Sequence, residues 1–332
     1  MNIKLGHKII GMALAVMLLL TGCGGGVGQE NSSQGQAIAQ EEPITVGLLR
    51  IDDSFPFYVA EKEGLFEKHG VQVAIKEFSS GRDQATALQG GELDVLMTDP
   101  VVTALSLKGG SDIRIVATAL GAVPEEGRFL IVSAPDSGIT APEQLEGKTL
   151  AISNNTMMDY LVDQYAALLG VDKSAMNTVN MPDLMLRTTT VLEGKEIDAA
   201  ILPDPLAAYA VAEGANVVID DTKLGENFSQ SVIAVTTEAI DNKQEQLAAM
   251  LDAYNEAVER INADPEQYQA FALECARVPE SLAETYQTPT FTVNAIPAEA
   301  DIRLVNDWLV ERGLLKKAYT YEEMVDSRFV QP

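Results

Sequence analysis

The sequence predicts an α/β protein of two lobes, each a parallel sheet covered by helices. Two observations predict it. Short apolar runs of strand length alternate with longer helical runs, the pattern of β-α-β units. One stretch, LQGGELDVLMTDPVVTA (88–104), also has a near echo in LEGKEIDAAILPDPLAAYA (192–210), about a hundred residues further on. No short-period repeat accompanies it.

The first copy begins with ITVGLLR (44–50), a buried strand, followed by the loop IDDSFP and the helical run FYVAEKEGLFEKHG. Gly70 is a natural helix stop before the strand VQVAIKEF. SSGRDQATALQGG then gives a helix with a serine-rich start, and ELDVLMT returns to strand. Asp99-Pro100 opens the helix VVTALSLKGG, and DIRIVATAL is the next strand. The second copy begins near GKTLAIS (147–153). Its helix MDYLVDQYAALLG ends on Gly170-Val171, as the first ended on Gly70-Val71. NTVNM, the helix opening PDLMLRTTTVLEG, the strand EIDAAIL and an Asp204-Pro205 helix complete it.

The C-terminal third is helical. Asn242 and Glu245 have capping-box spacing, and Leu247, Met250, Leu251, Tyr254, Val258 and Ile261 recur at helical intervals. Asp264-Pro265 opens a helix through Cys275, and a last amphipathic helix runs from about Pro297 to Arg312. These helices are expected to close back onto the first lobe. Lobe I is then 43–122 plus 232–332, lobe II is 123–231, and hinges lie near Gly121–Arg128 and Ser229–Val235.

Residues 1–22 read as a secretory signal peptide. Lys4 and Lys8 precede the apolar run IIGMALAVMLLL, which at 1.5 Å per residue is about 18 Å long, too short for a hydrocarbon core of about 30 Å. The run ends in Leu20-Thr21-Gly22-Cys23, which resembles the bacterial lipobox, so Cys23 is the expected site of lipidation. Residues 23–42, rich in Gly, Gln, Ser and Glu, read as a flexible tether. The protein is therefore expected on the outer face of the cell membrane, held by lipid. With Cys23 acylated, Cys275 is left without a disulfide partner in its own chain, and its apolar setting suits a structural thiol.

Composition narrows function further. Hydrophobic residues make up 46% of the 332, enough to bury a core. The net charge of −26 excludes a nucleic-acid partner, which needs clustered cations, and electrostatic docking on an anionic bilayer. Only His69 would survive removal of the signal peptide, and it sits beside Gly70 at an expected helix end, where a polar surface residue belongs, so no catalytic histidine set or zinc-ligand set is read from the sequence. No catalytic residue, metal or cofactor is expected.

Ligands of open α/β sheets sit at the carboxyl ends of the strands. That rule selects Arg50, Asp52, Asp53, Ser54 and Phe55 after the first strand, Ser79, Ser80 and Arg82 after the second, and Thr98 and Asp99 after the third. In the second copy it selects Ser153, Asn154, Asn155, Thr156 and Met157, then Pro182 and Asp183, then Asp204. Asp99 and Asp204 are also good helix caps with proline in the first helical position. A carboxylate at such a junction would repel an anion.

The run SFPFYVAEKEGLFEKHGVQV resembles the first-lobe signature of solute-binding proteins of ABC importers, in the nitrate, sulfonate, taurine and thiamine-precursor group. LQGGELDVLMTDP, ITAPEQLEGKTLAIS and the ending DWLVERGLL…YEEMVDSRFV are similar to that group's motifs in the same order, so the resemblance covers almost all of 43–330. It implies a two-lobed type II periplasmic-binding fold that captures a small molecule and delivers it to a membrane permease, as a monomer and without chemistry. It carries Ser54–Phe55, Ser79–Ser80, Thr98–Asp99, Asn154–Thr156 and Asp204 to the ligand by position. The many acids around Arg50, Arg82 and Arg128 favour a neutral or cationic, nitrogen-containing or heteroaromatic ligand stacking on Phe55 or a nearby tyrosine. The alternatives are an enzyme on the same fold (a menaquinone-pathway dehydratase or a pyrimidine-precursor synthase) and a ligand-sensing lipoprotein that transports nothing.

Overall fold

The structure, a computed structural model, describes residues 42–126 and 128–330. The signal peptide, Cys23 and all of the tether but its last residue lie outside them. The first sheet is built from β1 (Ile44–Leu49), β2 (Val73–Phe78), β3 (Val95–Thr98) and β4 (Ile113–Leu120). Its connections carry α1 (Phe55–Lys62), α2 (Leu65–Lys68), α3 (Gly81–Gln89) and α4 (Pro100–Lys108). The helical run expected over 57–70 is two helices, because Gly64 turns left-handed between them at φ +68°.

The chain then crosses to a second sheet: β5 (Phe129–Ser133), β6 (Thr149–Ile152), α5 (Met157–Leu169), β7 (Asn177–Asn180), α6 (Leu184–Glu193), β8 (Ala199–Pro203), α7 (Leu206–Ala212) and β9 (Asn216–Asp220). It returns through β10 (Ser231–Thr236) and finishes in α8 (Thr237–Asn242), α9 (Gln244–Ala263), α10 (Pro265–Ala276), α11 (Glu299–Glu311) and α12 (Tyr321–Met324).

Strand order is β2-β1-β3-β10-β4 in one sheet and β7-β6-β8-β5-β9 in the other. The two orders are the same path drawn twice. β6, β7, β8 and β9 repeat β1, β2, β3 and β4, and β5 stands where β10 stands. The parallel pairs of the β-α-β pattern are present, and each sheet also takes one antiparallel strand: β10 is antiparallel to β3 and β4, and β5 to β8 and β9. The cause is direction of arrival. A chain leaving one sheet at the carboxyl ends of its strands enters the other sheet from the cleft side. Its first strand there therefore runs against those that end at the cleft.

The echo noticed in the sequence has a physical content. Asp94 Oδ2 accepts from the Thr45 N–H at 2.8 Å, and Asp198 Oδ2 accepts from the Thr149 N–H at 2.8 Å. In return, the Asp94 and Asp198 N–H groups donate to the Thr45 and Thr149 carbonyls. Each aspartate thus fixes the start of one of two matching strands, β1 or β6. Asp94 also takes bonds from Thr45 Oγ1 at 2.9 Å and Lys243 Nζ at 2.9 Å. Orphaning a strand N–H costs about 1–3 kcal/mol. Asp94→Ala and Asp198→Ala should both lower stability within that range, with Asp94→Ala the worse because its carboxylate serves three donors. Urea titration of the two variants checks this, and equal or absent effects would contradict it.

Helix ends follow local chemistry. Asp99 caps α4 by accepting from the Val102 N–H at 2.8 Å, with Pro100 in the first turn, and Asp264 caps α10 in the same way. Gly70 and Gly170 are left-handed, and the following Val71 and Val171 N–H groups bond back to Phe66 and Ala166. Two expectations fail. Asn242 ends α8 while Lys243 stands before α9 with no side-chain cap, so the Asn242–Glu245 box does not form. Asp204-Pro205 is cis, and Pro205, not Asp204, holds the cap position of α7. Asp204 Oδ1 still accepts from the Ala208 N–H at 3.0 Å.

The C-terminal helices cover the first sheet. Tyr254 of α9 packs against Phe57 of α1 with ring centroids 4.8 Å apart and planes tilted by 52°, and its hydroxyl donates to the Ala119 carbonyl. Val325 bridges to Ile115 and shields the free edge of β4, an edge that would otherwise invite pairing. α11 also reaches α5 in the second half: Trp308 Nε1 donates to Asp163 Oδ2 at 2.7 Å, and the Trp308 ring meets Tyr160 edge-on.

Candidate functional site

The carboxyl ends of β1 and β3 and the segments that follow β1, β2, β3, β6 and β7 line a cavity of about 50 Å³ between the sheets. Space of that size holds roughly four water-sized groups. From the first sheet come Leu49, Asp53, Gly81, Gln84, Met97, Thr98, Asp99 and Ser231. From the second come Phe129, Ser153, Thr156, Met157, Met158, Pro182, Leu184 and Arg187. Most of the exposed wall is apolar, although half of the lining residues are polar or charged, and apolar walls with placed polar groups are the usual make-up of a small-molecule site.

Backbone contacts cross the cavity's rim. Met157 N–H donates to Asp99 Oδ2 at 3.3 Å, Leu184 N–H to the Ser79 carbonyl at 3.3 Å, and Asp52 N–H to the Asp204 carbonyl at 3.2 Å. Asp99 therefore does two things at once: it caps α4 with one oxygen and holds the start of α5 in the other lobe with the second.

Of the residues selected from the sequence, the cavity collects Asp53, Thr98, Asp99 and Thr156, with Ser153, Met157 and Pro182. Asp204 and Asp52 are buried beside it, joined through the backbone. Arg50, Ser79 and Asp183 meet elsewhere, in a neighbouring depression of about 390 Å³ that Glu77 and Arg277 also line. There Arg50 is committed, ion-paired with Glu77 and bonded to the Cys275 carbonyl. Ser80 caps α3, accepting from the Asp83 N–H. Asn154 is exposed and Asn155 turns left-handed at φ +58°. The structure does not bring Phe55 to the cavity: it is 1% exposed, with its ring packed on Tyr268 and Phe271. Ser54 is fully buried, and its hydroxyl has no partner.

Burial governs the site's electrostatics. Loss of water pushes Asp53 up to about 6, against the bond it accepts from Ser231, and pushes Asp99 up to about 6 despite the backbone N–H groups of Val102 and Met157. Asp204 rises to about 6 by burial although Arg128 opposes it. Asp52 rises well above its ordinary value, through burial first and then through Asp204. Tyr286 donates to Asp52 Oδ1 at 2.6 Å. These acids therefore hold part of their protons near pH 6, where ordinary carboxyls are fully ionised.

Sequence reasoning missed two polar residues here. Gln84 and Arg187 lie inside α3 and α6, away from the strand ends that the search rule selects. Both are 0% exposed, which no local pattern announced. Burial pushes the Arg187 guanidinium down to about 9.

Two α/β lobes closing over a shared cleft define the fold of the periplasmic binding proteins. The chain shares it with the aliphatic sulphonate-binding protein SsuA of Escherichia coli, at a TM-score of 0.70 and 19% identity over 86% of this chain and 97% of that one. The chain belongs to the NMT1/THI5-like family, whose model matches residues 52–268. Among relatives, an ABC transporter periplasmic binding protein of Brachyspira hyodysenteriae is 28% identical over 76% of this chain and 72% of its own length. An aliphatic sulfonates-binding protein of Bacillus subtilis is 22% identical over 74% and 71%.

Proposed function

We propose that the protein is the solute-binding component of an ABC importer. It captures a small molecule between its lobes and presents it to the permease, without converting it. The observation that carries the reading is the small, mostly apolar cavity walled by both sheets, with Asp99 tying one lobe to the other across it. The relatives' names agree with this reading. In it, lobe I is 43–122 plus 232–332, lobe II is 123–231, and the crossings near Gly121–Arg128 and Ser229–Val235 act as hinges. Ligand contacts made to both lobes then favour the closed form, which is what the permease reads. A space of this size demands opening before any larger solute can enter.

The chain is delivered to the outer face of the membrane by residues 1–22 and held there by acylated Cys23 on the 23–42 tether. The solute is small and nitrogen-containing, matched to a cleft whose acids are more numerous than its cations. The test is a thermal-shift panel of amines, pyrimidines, sulfonates and nitrate on purified protein. A solute at about a hundred times its dissociation constant should stabilise the fold by about 2.7 kcal/mol. A panel in which nothing stabilises the protein would contradict capture.

A further inference from the structure

Two kinds of contact join the half of the molecule built on the first sheet to the half built on the second. At the cavity rim, the N–H groups of Asp52, Met157 and Leu184 reach acceptors on the opposite side at 3.2, 3.3 and 3.3 Å. Outside the cavity, α11 meets α5 through side chains. Trp308 Nε1 donates to Asp163 Oδ2 at 2.7 Å, and its ring lies edge-on to Tyr160 with centroids 5.4 Å apart. Arg312 stands over the Trp308 ring at 5.7 Å. Its Nη2 is 3.5 Å from Asp159 Oδ2 and its Nη1 is 3.7 Å from Asp163 Oδ2. A short bond to a carboxylate is roughly twice as strong as a neutral one, so the firmer hold lies outside the cavity.

The two acids of this contact are also paired within their own half. Lys173 Nζ is 3.0 Å from Asp159 Oδ1 and ion-paired with Asp163. Breaking a buried ion pair is costly because it strands a charge. Here Lys173 would keep both acids paired if α11 withdrew, Arg312 is already exposed, and the indole N–H would pass to water. The contact is firm when made and strands no charge when broken.

We propose that Trp308, Arg312, Asp159 and Asp163 form a latch that holds the cleft shut from outside the cavity and parts when it opens. The inference rests on the capture reading, since opening to admit a solute is the event that the latch governs. Every group in it belongs to the chain, so its strength sets how often the cleft opens before any solute arrives.

The test is hydrogen exchange on the full chain with no solute added. The Asp52, Met157 and Leu184 amides have their acceptors across the rim, so their exchange reports opening. Trp308→Phe keeps a ring against Tyr160 and removes the donor, and these three amides should then exchange about tenfold faster. Arg312→Gln, at an exposed position, should speed them about twofold. The amides of β3 and β8, central in their sheets, should keep their rates in both variants. Rim and sheet amides that accelerate together would make the contact ordinary packing and overturn the inference. Rim amides that ignore Trp308→Phe would overturn it too, and capture would still stand. The thermal-shift panel tests capture separately, because the exchange measurement needs no solute.

Discussion

Gly121→Val should yield no folded protein, and Gly121→Ala a severely destabilised one. Gly121 sits where the two crossings between the lobes touch. Its φ is +82°, and a Cβ there would lie 2.2 Å from the Ser229 carbonyl oxygen, which is backbone and has little room to retreat. Asn227 Nδ2 donates to the Gly121 carbonyl at 2.8 Å, so the crossings are stitched from both sides. Left-handed backbone alone costs a non-glycine residue about 1–2 kcal/mol. Gly138 provides the control: its φ is +69° and nothing lies within 4 Å of its Cβ position. Gly138→Ala should therefore show the backbone cost alone, and Gly121→Ala at least about 2 kcal/mol more. Soluble yield and urea unfolding of the two variants decide it. Equal losses would mean that the crossings separate easily.

The second large effect is on pH. Asp53, Asp99 and Asp204 are raised to about 6 and Asp221 to about 7, each chiefly by burial, and Asp52 is raised well above its ordinary value. All five bind their protons more tightly in the folded protein than in the unfolded chain. Their stabilisation is whole below about pH 4 and is lost as pH rises toward 7. Glu256 works the other way, held at about 2 by Lys68 and His69, but its contribution falls away only below about pH 4. One buried carboxyl shifted this far is worth about 3 kcal/mol. The melting temperature at pH 5 should accordingly exceed that at pH 7.5 by about 5 °C or more, and Asp221→Asn should flatten the upper end of the profile. A melting temperature that stays flat or rises over this range would mean that these acids reach water.

The sequence showed most of what local chemistry controls. The glycine stops at 70 and 170 and the caps at Asp99 and Asp264 depend on residues a few positions apart. The antiparallel strands β5 and β10 could not be read that way, since their direction follows from how the chain crosses between sheets. Phe55 was misjudged for a related reason. It follows a strand end, yet its ring turns into the pocket made by Tyr268 and Phe271, more than two hundred residues later in the chain. Arg187 and Gln84 carry no motif, and only the packing around them sets them apart from ordinary helix residues.

The most direct test of the account is a crystal structure of the protein with a solute that raises its melting temperature. The account predicts density between the two sheets, touching Asp53 or Asp99 on one side and Thr156 or Arg187 on the other. Density on the outer surface of a single lobe, with the cleft unchanged, would contradict it.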